Sequence, residues 1–406
     1  TNARGSELID SDGQHYLDFL GGAGTLNYGH NHPRLKRAVI DYLQKDGVLH
    51  GLDMHTEAKE RFMTTFRDLI LEPRGLDYKM QFTGPTGTNA VEAAMKLARK
   101  ITGRHDIISF TNAFHGMTLG AVAATGNSHH RGGAGVPLSG TTFMPYSGYF
   151  GSETDTIAYM ERLIEDPSSG VDLPAAMILE TVQGEGGVNV ASRAWLQRLA
   201  ELCRRNKILL IVDDIQVGCG RTGSFFSFEG YDIEPDIVTL SKSLGGIGLP
   251  MALVLMKPEL DQWKPGEHNG TFRGNNLAFV AATEALESFW GDKRFEEEIR
   301  EKGAILRQRL QWIKADNPEL KAQVRGRGMI YGIDFEDATF AGDLVQKCYE
   351  RKLIIENCGP KGRVLKFLGP LTTTVEQLND GLDRLVEAVA ELVAERASAK
   401  SLAESR

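Results

Sequence analysis

The chain has 406 residues, 41% of them hydrophobic and 25% charged, and 46 basic against 54 acidic side chains leave a net charge of −8. That length exceeds what one compact core usually holds, so two domains, or a large one with a satellite, are expected. The acidic balance excludes a general nucleic-acid binder, which needs a basic face, and no apolar run reaches membrane-spanning length. Cys203, Cys219, Cys348 and Cys358 show no C-x-x-C pairing. The expectation is therefore a reducing, cytoplasmic compartment with no disulfide framework and no signal peptide. The first residue is Thr1 rather than Met, so residues ahead of it are expected to have been cleaved or left out.

In chain order, Glu7–Asp10 and Tyr16–Phe19 read as a strand pair turned at Asp12-Gly13, followed by a Gly-rich loop from Gly21 to Gly29. A helix is expected from about Pro33, with Leu35, Ala38, Val39 and Leu43 as its apolar stripe. From about residue 55 to 290, helices alternate with short, continuously apolar runs. Ala175–Glu180, Ile208–Asp213 and Asp236–Lys242 are such runs, and a helical stretch, Arg193–Arg205, separates the first two. Runs of this kind suggest strands buried on both faces of a mostly parallel sheet. Each ends in an ionisable residue: Glu180, Asp213, Lys242. One such end marks where a strand meets solvent; three in one sheet favour a shared site at the carboxyl edge, where open α/β sheets bind ligands. Past residue 292 the composition turns charged and helical, with a strand near Gly328–Phe335, a final helix over Val375–Arg396, and a frayed tail from Ala397 to Arg406. The expected domains are an N-terminal segment, 1–54, joining a small C-terminal α+β domain, 292–406, around a large domain, 55–291, that carries the shared site.

Several pieces carry chemistry. Thr83–Asn89 is a Gly/Thr-rich turn running into an apolar helix stripe. Asn89 followed by Glu92 suggests a capping box. Such a helix start is a ready phosphate site, though taken alone an ordinary capped turn is the better account, since such turns are common. Phe114-His115-Gly116 offers an aromatic to stack on a flat ring; in isolation, a core Phe and a structural His are the simpler account. Asp213, closing a buried strand, suits a protonated ring nitrogen, and Gln216 suits a ring hydroxyl. Lys242 leaves an apolar strand into a glycine loop, where desolvation frees its amine to form a Schiff base. Phosphate cup, ring stacker, acid and imine lysine together are what pyridoxal 5'-phosphate requires.

These strings resemble the class III (ornithine/4-aminobutyrate type) pyridoxal-phosphate aminotransferases over nearly the whole chain. The resemblance runs through Asp10–Asp18 and Gly29–Pro33 at entry, Thr86–Glu92 at the phosphate turn and Phe114–Gly116 at the ring stacker. It continues in the gate loop Gln183–Gly187, in Asp213–Gly223, in Ser241-Lys242-Ser243, and in Thr271. It implies an α/β fold of fold type I, with a mostly parallel sheet of the seven-stranded type and a smaller α+β domain. It implies Lys242, Asp213 and Glu185 as catalytic residues and Thr86, Gly87, Thr88, Phe114, His115, Glu180, Ile215, Gln216 and Thr271 as further cofactor contacts. Thr271 is expected to reach the phosphate of a partner subunit, in a homodimer or higher assembly. No metal is expected.

Within the family, the strings Gln81–Asn89 and Lys264–Gly274 resemble members that use L-glutamate and L-aspartate 4-semialdehyde to make L-2,4-diaminobutyrate, in ectoine biosynthesis or a siderophore pathway. Departures matter too. Asp214 and Thr181 stand where the wider family has Glu and Pro. Met117 and Lys366 stand where ornithine- and 4-aminobutyrate-type members carry carboxylate-anchoring arginines. Lys366 lies between Val364-Leu365 and Phe367-Leu368, so it is either paired or turned to water. In the first case it is a substrate-carboxylate anchor; the resemblance separately implies Glu185 as a switch that masks or frees a positive anchor between the two half-reactions. Other functions left open are another ω-aminotransferase, a semialdehyde aminomutase of the same fold, and a cofactor-binding scaffold.

Overall fold

The computed structural model describes residues 1–404 of the chain, with side-chain burial through Ala399. Strands β1 (Asn2–Arg4), β2 (Glu7–Ile9) and β3 (His15–Asp18) form an antiparallel meander. The β2–β3 turn is set by Asp10, whose Oδ1 accepts from the backbone N–H of Asp12 and of Gln14, both at 2.9 Å. The following helix runs Pro33–Gln44, with proline in its first turn, where no N–H is missed. Its expected stripe is only partly buried. Leu35 is enclosed and Ala38 and Val39 are half-buried, but Leu43 is 45% exposed, and Val48 and Leu49 in the segment that follows the helix are exposed too.

The large sheet has seven strands: β4 (Lys79–Phe82), β5 (Ile107–Phe110), β6 (Thr141–Met144), β7 (Ala176–Leu179), β10 (Leu209–Asp213), β11 (Ile237–Leu240) and β12 (Leu253–Met256). A short antiparallel pair, β8 (Val182–Gln183) and β9 (Asn189–Val190), follows β7. The order is β4-β12-β11-β10-β7-β5-β6, parallel throughout except for β12, which runs against both neighbours. The mostly parallel seven-stranded expectation holds. Its physical basis is visible in β5, β7, β11 and β12, where every residue is buried, as two covered faces demand. The predicted 193–205 helix is present as Arg193–Arg205, started by Ser192, whose hydroxyl accepts from the Trp195 N–H at 3.2 Å.

Toward the C-terminus, β13 (Gln323–Arg327), β14 (Ile330–Asp334), β16 (Glu356–Cys358) and β17 (Val364–Phe367) form an antiparallel sheet in the order β13-β14-β17-β16. Strand β15 (Leu353–Ile354) leaves that sheet and pairs in parallel with β3, Leu353 opposite Leu17. N-terminal and C-terminal segments therefore share one sheet. The last helix spans Val375–Glu404, eight residues beyond its expected end at Arg396. The frayed tail is corrected that far: residues 397–404 contain good helix formers and neither Gly nor Pro to stop them. Ser405 and Arg406 lie outside the described residues. Among the described residues no helix is long and apolar enough to cross a membrane.

Candidate active site

Three parallel strands deliver the three ionisable residues to one edge. Glu180 follows β7, Asp213 ends β10, and Lys242 opens the turn after β11. Together with Glu185 and Gln216 they line a cavity of about 260 Å³. Thr86, Gly87, Thr88, Phe114, His115 and Ile215 complete its expected wall, and Gly116 and Met117 join them.

Asp213 is buried and accepts three hydrogen bonds. They come from His115 Nδ1 at 2.7 Å, Thr239 Oγ1 at 3.1 Å and the Ile215 N–H at 3.1 Å. Such a carboxylate is fixed in orientation and keeps its acceptor character. Burial works against a charge on His115, but the Asp213 hydrogen bond and charge, with Glu180 behind them, outweigh it and raise the imidazole pKa. Burial pushes Glu180 up to about 7. Its two oxygens accept from the Phe114 N–H at 2.9 Å and the Gly184 N–H at 3.2 Å, tying the ring stacker to the gate loop.

Lys242 sits at φ +50°, in the left-handed region that non-glycine residues seldom occupy. Its Nζ donates to the Ala23 carbonyl at 2.9 Å. Burial and the neighbouring Lys366 lower its pKa to about 8 against the pull of Glu185 and Asp213. The same Ala23 carbonyl accepts from Gln216 Nε2 at 3.1 Å, and Ser243 Oγ donates to the Gly24 carbonyl at 2.7 Å. The tight Gly21–Gly24 loop is thus part of the site. It is held by buried Asp18, which accepts from the Leu20 and Gly21 N–H groups at 2.9 Å each and from His30 Nε2 at 2.7 Å. Sequence reasoning saw the glycines but missed the carbonyls, which leave no side-chain signal.

At the phosphate turn, Gly87–Thr102 is a 16-residue helix with Thr86 as N-cap. The expected Asn89–Glu92 capping box is not formed. Asn89 Oδ1 accepts from Thr86 Oγ1 at 2.6 Å and from the Thr86 N–H at 3.3 Å. Glu92 instead accepts from Thr118 Oγ1 and from the Gly120 and Ala121 N–H groups. The capping box forms one turn earlier, with Thr86 as N-cap and Asn89 as its third helical residue. Gly87 permits close packing, since a Cβ there would stand 3.0 Å from the Ile215 side chain.

Two expected residues lie outside the cavity wall. Lys366, on β17, is wholly buried and not turned to water. Its Nζ reaches Glu185 Oε1 at 2.6 Å and Glu356 Oε1 at 3.0 Å. Glu185 also accepts from Gln216 Nε2 at 2.9 Å, so it bridges the cavity to the lysine behind it. Burial opposes its ionisation, yet Lys366 holds its carboxyl down to about 2. Burial likewise opposes the charge on Lys366, and Glu185, Cys358 and Glu356 raise its pKa regardless. Glu356 was not foreseen. Thr271 is exposed and does not line the cavity of its own chain. The four cysteines are free and buried. Among the described residues no cluster of His, Cys, Asp and Glu could hold a metal ion.

Two buried cavity-lining atoms, His115 Nε2 and Gln216 Oε1, have no protein partner. With the Gly87 and Thr88 N–H groups that open the Gly87–Thr102 helix, they fit a flat polar ring carrying a phosphate. Ring, acid, amine and sheet order define a fold-type-I pyridoxal-phosphate enzyme. The chain belongs to the class III aminotransferases, whose family model matches residues 1–389, and its cofactor is pyridoxal 5'-phosphate. It is 59% identical over 389 residues to the diaminobutyrate–2-oxoglutarate transaminase of Nocardia farcinica, covering 96% of this chain and 89% of the relative. It is 57% identical over 396 residues to the enzyme of that name from Bordetella parapertussis, covering 97% and 91%. Among solved structures it is similar to the ornithine aminotransferase of Toxoplasma gondii, with TM-score 0.85 and 29% identity, covering 98% of this chain and 90% of that one.

Proposed function

We propose that the protein transfers the amino group of L-glutamate to L-aspartate 4-semialdehyde, giving 2-oxoglutarate and L-2,4-diaminobutyrate. The observation that carries this is identity of 57–59% over nearly the whole chain to transaminases named for that reaction. The bound cofactor supplies a carbonyl carbon that takes up an amine and a ring that withdraws electrons from it. Gly87 and Thr88 would hold its phosphate, Phe114 would cover its ring, and Asp213, backed by His115, would keep a proton on the ring nitrogen. Lys242, with a pKa of about 8, keeps roughly a tenth of its amine neutral at pH 7. That neutral amine is the base that removes the proton from C2 of glutamate and later returns one at C4 of the semialdehyde.

Glu185 and Lys366 sort the two half-reactions. Glutamate carries a carboxylate on the reacting carbon, and Lys366 would hold it once Glu185 swings away. The semialdehyde carries only hydrogen there, so Glu185 stays on Lys366. In this reading Thr271 reaches the phosphate of a partner subunit. The exposed apolar Phe272 next to it in the chain, at 63%, supports a homodimer. The reading places the enzyme in the cytoplasm and its product in ectoine biosynthesis. The test is incubation of holoenzyme with L-glutamate and L-aspartate 4-semialdehyde and identification of the product. L-2,4-diaminobutyrate formed in step with 2-oxoglutarate supports the reading. Semialdehyde conversion without any 2-oxo acid indicates an aminomutase, and turnover restricted to ornithine or 4-aminobutyrate indicates another ω-aminotransferase.

A further inference from the structure

The proposed substrates share a spacing. In L-glutamate the reacting C2 lies three carbon–carbon bonds from the C5 carboxylate. In L-2,4-diaminobutyrate the reacting C4 lies three from the C1 carboxylate. One cation placed beyond the cofactor cavity can therefore hold the far carboxylate in both half-reactions.

The cavity wall has no cation free for this among the described residues. Lys242 is the reacting amine, and His115 is locked onto Asp213. Lys366 lies outside the wall and is already neutralised by two carboxylates. Phe114 and Glu185, however, also line a second chamber of about 480 Å³ that adjoins the first. Lys361 and His130 are among its lining side chains. Lys361 is exposed, has no ion-pair partner among the described residues, and rides on a turn with Gly359, Lys361 and Gly362 all at positive φ (77°, 60° and 71°). Asn357 Nδ2 pins that turn by donating to the Gly362 carbonyl at 2.8 Å. The Gly359 N–H donates to the backbone carbonyl of Glu185 at 2.9 Å, fastening the turn to the gate residue itself. The ring of His130 meets Phe114 edge-on, with centroids 5.4 Å apart.

We propose that the second chamber is the subsite for the distal carboxylate of both substrates, with Lys361 as its cation and His130 as a second donor. This rests on the transaminase reading above and names the part of the site that measures substrate length. Lys361→Gln should raise KM for L-glutamate and for L-2,4-diaminobutyrate about fivefold, as expected for an exposed ion pair, and Lys361→Arg should restore it. L-2-Aminobutyrate, which has glutamate's head but no far carboxylate, should show no comparable rise. Calorimetric binding of glutarate, which undergoes no chemistry, should weaken by a similar factor. Unchanged KM values and unchanged glutarate affinity in Lys361→Gln overturn the subsite, as does an equal rise for L-2-aminobutyrate. A wild-type enzyme that makes no L-2,4-diaminobutyrate overturns the underlying reading instead, so the two failures are distinguishable.

Discussion

Replacing Lys242 with methionine should make the cofactor-free protein more stable at neutral pH. A lysine held at about 8 instead of 10.5 carries roughly 3 kcal/mol of unfavourable free energy while charged. Methionine fills similar volume, keeps the left-handed backbone of residue 242, and gives up the hydrogen bond to the Ala23 carbonyl, a loss of about 1 kcal/mol. The net gain at pH 7 is about 2 kcal/mol. The pH dependence follows from the depressed pKa. Between 8 and 10.5 the unfolded chain binds one proton more than the folded one, so wild-type stability rises with pH through that window. At pH 9.5 the remaining penalty is about 1 kcal/mol, equal to the lost hydrogen bond, and the two proteins should unfold together. Urea unfolding of both cofactor-free proteins at pH 7 and 9.5 measures this. A variant less stable than wild type at pH 7, or a gap that does not close at 9.5, refutes the assignment of an unfavourably buried amine.

Asp213→Asn should keep the fold and the cofactor but cut kcat by about a hundred- to a thousandfold, the range for losing one preorganised electrostatic contact; near-wild-type turnover would exclude its role. Lys366→Ala leaves Glu185 and Glu356 facing each other without their cation, so it should cost about 3–5 kcal/mol in denaturant unfolding. The milder Lys366→Arg should shift the ratio of KM for glutamate to that for the semialdehyde, because a planar fork fixes one carboxylate orientation. Equal KM ratios would remove Lys366 from substrate binding. Thr271→Ala should speed cofactor loss on gel filtration, and a fully active monomer at high dilution would contradict the shared site.

The strand ends were legible because an uninterrupted apolar run is expected to be buried, and an ionisable residue at its end stands out. Lys242 and Asp213 are the clearest instances. Two strands of the same sheet left no comparable mark: β4 is a short Lys-Met-Gln-Phe run and β6 opens on two threonines, whereas β12 lies in the uninterrupted apolar run Met251–Met256 before Lys257 and was passed over. The capping box was misplaced because Asn and Glu at helical spacing fit the pattern equally well one turn along. The second partner of Lys366 was invisible for a different reason. Glu356 faces it only through the antiparallel register of β16 and β17, Glu356 opposite Lys366, and register is a tertiary fact. The Ala23 carbonyl belongs to the backbone, so no residue type announces it.

The parallel pairing of β3 with β15 has a consequence for biogenesis. The loop that presents the Ala23 carbonyl to Lys242 is anchored by Asp18 at the end of β3, and β3 gains this neighbour only when Leu353 and Ile354 have been made. During synthesis the large sheet can collapse as soon as β12 emerges, yet its catalytic edge stays unfinished until the ribosome has passed residue 354. Pairings of such long sequence separation form late, so cofactor capture by the nascent chain should be a late event, and chains truncated before residue 353 should accumulate as partly folded species with an exposed sheet edge.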